Sequence, residues 1–116
     1  MLMITALLLQ SAAVDQAQKK FSDALWDRGS CIGAMLDHVD DGKSPIEEVA
    51  DAAEAMCRSE MRLEDDAWLA LTRAKGFDTE RPEVRFWFEH EKQIRRSNLE
   101  HWVEENRKRG GSGSDR

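Results

Sequence analysis

The chain is poor in the residues and patterns that most catalytic and ligand-binding chemistries need. Its three histidines, His38, His90 and His101, form neither HExxH nor Glu-x-x-His, which removes the ligand spacing of a zinc protease and of a carboxylate-bridged di-iron site. His90 and His101 share a helix face but stand ~16 Å apart along it, too far to chelate one ion. GxSxG, a glycine loop that cradles phosphate and a third cysteine are all missing, so no catalytic residue, cofactor or metal is expected. No segment alternates with the period of a strand. No apolar run reaches the ~20 residues of a membrane span. Basic charge is also short: 17 Lys and Arg against 23 Asp and Glu leave the chain at -6, which disfavours nucleic acid as a partner.

What is present is helical patterning in a chain long enough for one domain. In the first helix Phe21, Leu25, Ile32, Met35, Leu36 and Val39 recur at helical spacing, with Ala17 and Ala24 on the same side. The second is predicted as one unbroken helix. Ser44, Pro45 and Glu47 read as a capping box at its start, the stripe runs from Ile46 through Ala53, Cys57 and Met61 to Leu71, and Gly76 stops it. A third amphipathic helix is predicted from about Pro82 to Lys108. The fold class is therefore all-α: an antiparallel helical hairpin followed by a long third helix.

Charge is divided unevenly along that scheme. Residues 14 to 79 hold 15 acids and 8 bases, whereas residues 80 to 109 hold 7 acids and 8 bases. The acidic part is the body.

Between the first two helices, "DHVDDGKSPIEE" places Asp37, Asp41, Gly42 and Glu48 at the first, fifth, sixth and twelfth positions of a calcium loop. The third position is Val39, which offers no oxygen, and Ser44 to Glu48 already read as a helix start. The segment is therefore read as a turn, with Asp40 and Asp41 solvated and Gly42 supplying a positive φ.

If the first two helices are antiparallel, Cys31 and Cys57 fall at the same level, because their midpoint is residue 44, in the middle of the turn. Antiparallel axes lie ~8 to 10 Å apart, while a disulfide wants Cα atoms ~5.5 to 6 Å apart, so small neighbours are needed. Gly29, Ser30, Gly33, Ala34 and Ala53 supply them. A Cys31–Cys57 bridge is expected, and with it an oxidising compartment. The opening "MLMITALLLQSAAV" agrees: an apolar run ends in small residues, with Ser11 and Ala13 placed for signal-peptidase cleavage. Residues 1–13 are read as a leader, 14–109 as a single helical domain and 110–116 as a disordered tail.

At "AMCRSE", with Cys31 before it, the chain resembles small exported helical proteins of proteobacteria that carry one cysteine on each arm of a hairpin. The resemblance covers about residues 1 to 64 and implies export and a disulfide, with no activity attached. A looser likeness is to periplasmic acid-stress chaperones, whose cysteines are spaced further apart.

Two functions fit this reading: a non-enzymatic protein-binding or structural module of the periplasm or outside the cell, and an acid-stress chaperone. A contact surface for a protein partner or a second copy is expected at "RFWFEHE". There the stripe through Val84, Trp87, Phe88 and Ile94 puts Trp87 in the core and leaves Phe86 and His90 outside it.

Overall fold

The computed structural model describes residues 2–110, and side chains from residue 11 onward. These residues form α1 (Leu2–Val39), α2 (Ile46–Met56), α3 (Arg58–Ala74) and α4 (Pro82–Lys108), with no strand among them. The expected cleavage point after Ala13 lies within α1, and the tail from Gly111 on lies outside the described residues.

The predicted second helix is two helices. Cys57 stands between them at φ -110° and ψ 27°, its N–H shared between the carbonyls of Ala53 and Glu54. No glycine or proline marks the break. It falls at the residue bonded to Cys31, where the two Cα atoms are 5.9 Å apart. The disulfide closes a separation of 26 residues, and Cys57 is fully buried.

The main core gathers where the C-terminal half of α1, all of α2 and the C-terminal half of α4 meet. Ile32 and Leu36 pack there with Val49, Ala50, Ala53, Cys57, Leu99 and Val103. Gly33 allows the close approach of α4, since a Cβ at that position would lie 3.2 Å from the Trp102 ring. Beyond this core α3 follows α1, while α4 packs mainly on α2. The 38 residues of α1 extend over ~57 Å, so the molecule measures 65 × 29 × 22 Å.

The α1–α2 turn corrects two expectations. Ser44 does not cap α2. Its backbone N–H and hydroxyl both donate to the Asp41 carboxylate, each at 2.7 Å, and α2 starts after Pro45 without a side-chain cap. Those bonds, with one from the Lys43 N–H at 2.9 Å, hold the exposed Asp41 carboxyl down at a pKa of about 2. Asp40, expected in solvent, is buried. It accepts from the Gly42 N–H at 2.9 Å and from Arg107 Nη2 at 2.6 Å, and Arg107 also donates to the Ser44 carbonyl at 2.8 Å. The C-terminal end of α4 is thereby tied to the turn. Gly42 has the expected positive φ, +76°. Residues 37–39, the first three positions of the calcium-loop match, belong to α1.

Candidate partner-binding cleft

Away from the main core, the first half of α4 leaves an open cleft against α1 and α3. Three α1 residues at turn spacings, Phe21, Leu25 and Arg28, form one wall. Glu64 and Trp68, one turn apart on α3, form the floor, and Phe88, Glu91, Ile94 and Arg95 of α4 close the other side. This recess holds about 280 Å³. A second, of about 380 Å³, continues past Leu71 to Phe77 and Trp87, and Phe21, Trp68 and Glu91 line both. The two form one cleft with those three residues at its joint.

The walls are held by aromatic packing and by one buried ion cluster. Trp68 and Phe88 stack at a tilt with centroids 5.3 Å apart, and Phe77 meets Trp87 edge-on at 5.6 Å. Glu64 is 2% exposed. Its Oε1 accepts from Arg28 Nε at 2.9 Å and its Oε2 from Arg95 Nη1, while Arg95 Nη2 donates to Asp65 at 2.6 Å. A carboxylate this buried is tolerated because both oxygens meet cations. Burial draws both guanidinium pKa values down, and Arg28's charge adds to the effect on Arg95; burial raises Asp65. With each oxygen bonded to a different arginine, Glu64 is a structural junction of α1, α3 and α4.

Of the residues picked from sequence, Cys31 and Cys57 are bonded to each other. Glu60 lies beside them, in the one grouping of metal-ligand atoms among the described residues, but disulfide sulfurs are not thiolate ligands. Phe86 and His90 are exposed, stacked ring on ring at 6.1 Å, and line neither recess. Trp87, expected in the core, is 44% exposed at the cleft. Phe86→Ala is therefore expected to change stability by less than ~1 kcal/mol and Trp87→Ala by ~1 to 2, not the ~3 to 5 of a core aromatic. Urea melts of the two variants check this, and a Trp87→Ala loss above ~3 kcal/mol contradicts the placement.

The cleft itself was missed. Its one signal in the sequence is Arg28, which falls within the apolar stripe of α1, seven residues after Phe21, and implies a buried acid opposite. Comparison with protein-family models, curated proteins and solved structures finds no match to this chain.

Proposed function

We propose that the protein is a non-enzymatic binding module working outside the reducing cytosol: a disulfide-stapled antiparallel hairpin, crossed by an amphipathic α4, that receives an apolar element of a protein partner in its cleft. One observation carries this. Leu25, Phe77, Trp87 and Ile94, four of the large apolar side chains left exposed, converge on the two recesses. Concave apolar sites with a few fixed polar groups are where ligands and partner anchors bind, and tryptophan is enriched at binding hot spots. The disulfide supports an oxidising compartment, and among the described residues no helix is long and apolar enough to cross a membrane. Cleavage of the leader near Val14 belongs to the same reading, and intact Met1 on periplasmic protein counts against it.

The test is a capture experiment from periplasmic extract with three baits: the native chain, Ile94→Arg inside the cleft and Phe86→Arg outside it. A partner retained by the native chain and by Phe86→Arg but lost with Ile94→Arg is the expected result. Equal capture by all three removes the cleft from the function.

A second reading, an acid-responsive chaperone, draws support from the Asp40–Arg107 clamp. Burial pushes the Asp40 carboxyl up, but the hydrogen bonds from Arg107 and Gly42 outweigh it and hold the group below its ordinary range. A carboxylate lowered in this way stabilises the fold at all pH above its unfolded value, ~3.9, and that stability is lost as pH falls through the folded value. Asp65, raised by burial, works in the opposite sense: it costs stability when ionised, and protonation relieves that cost. Apolar dye binding that rises below about pH 4 with helicity retained supports this reading. Unchanged dye binding down to pH 3 sinks it.

A further inference from the structure

Resting on the reading of the cleft as a binding site, we infer that the partner element it takes carries a lysine or arginine, whose cation meets Glu91 and whose stem lies along Phe21 and Trp68. The charges on the cleft wall are unequally committed. Arg28, Glu64 and Arg95 are bound to one another, and Arg95 also to Asp65. Glu91 lines both recesses at their joint, is exposed, and has no ion-pair partner among the described residues. Bringing an uncharged apolar group over it would strip its water and return nothing, whereas an incoming cation compensates that loss.

The rings around it favour the same ligand. Phe21 and Trp68 share both recesses with Glu91, and Trp87 precedes it by one helical turn. Aromatic faces attract ammonium and guanidinium groups, best when tryptophan supplies the face. The protein already makes such a contact within itself, with Lys92 Nζ 4.9 Å from the Phe88 centroid. Lys75 also lines the larger recess, and Glu91 is the one charged side chain that both recesses share. The net charge of -6 steers a basic partner toward the molecule at low ionic strength.

The experiment titrates the full, disulfide-intact chain with four capped peptides that share one alanine–leucine framework and differ only at the centre: lysine, arginine, norleucine or glutamate. Tryptophan fluorescence reads binding, since Trp68 and Trp87 both line the cleft. The lysine and arginine peptides are expected to bind at least about tenfold more tightly than the norleucine peptide, and Glu91→Gln to remove that advantage. The glutamate peptide is expected to bind weakest. If norleucine binds as tightly as lysine, the cation inference fails while the cleft reading stands. If none of the four binds, both fall.

Discussion

Glu64→Ala is expected to lower the free energy of unfolding by ~3 to 5 kcal/mol, the range found when one member of a buried ion pair is removed. The carboxylate is the meeting point of three helices. Without it Arg28 loses its cross-helix partner, and Arg95 keeps only Asp65. Both arginine side chains are about one-fifth exposed, so partial escape of the guanidinium groups to water places the loss toward the lower end of that range. The charges are costly to bury even when paired. Replacing all three together, Arg28→Met with Glu64→Leu and Arg95→Met, is therefore expected to recover most of the loss. Urea melts at pH 7 with the disulfide intact decide the matter. A Glu64→Ala variant within ~1 kcal/mol of the native chain would mean that the cluster does not hold the cleft together.

The remaining arginine contacts show the same logic along α4. Arg96 donates to Glu54, to Asp51 and Glu100 at 2.7 Å and to the Glu47 carbonyl at 3.0 Å, while Arg107 reaches Asp40 and Ser44. The acidic body and the more basic last helix, separable in the sequence by simple counting, are thus complementary halves of one fold. Part of the acid excess of the body is the surface on which α4 docks.

Much of the architecture was legible because it rests on local periodicity. The all-helical class followed from apolar spacing, and the Cys31–Cys57 bond from the symmetry of two helices about a turn. The division of the second helix at Cys57 was not legible, because "AMCRSE" contains no residue that opposes helical dihedrals, and the break coincides with a bond to a residue 26 positions away. Ser44 misled for a related reason. The Ser-Pro-x-Glu pattern fits a capping box, but Asp41, three residues earlier, takes the hydroxyl first. The placement of Trp87 failed because a stripe on a helix tells which residues share a face, whereas burial needs a neighbour along its whole length, and α4 has one mainly in its C-terminal half. The ion clusters joining residues 31, 36 and 67 positions apart leave no local pattern at all.

Reduction of the Cys31–Cys57 bond is expected to cost ~3 to 4 kcal/mol, the loop-closure value for a separation of 26 residues. The bond sits at the edge of the main core, with Cys57 fully buried between α2 and α3, so its loss frees the denatured chain and also leaves two thiols in a space shaped for a bridge. The entropic part should persist when that space is refilled. Cys31→Ala with Cys57→Ala is accordingly expected to melt near the reduced native chain, well below the oxidised one. Paired urea melts of the oxidised, reduced and double-alanine proteins measure this, with the oxidised state verified by mass after alkylation under non-reducing conditions. Two alkylated cysteines in protein recovered from the periplasm would remove both the staple and the compartment it supports. Superimposable melts of verified oxidised and reduced chains would show instead that helix packing alone holds α1 to α2 and α3.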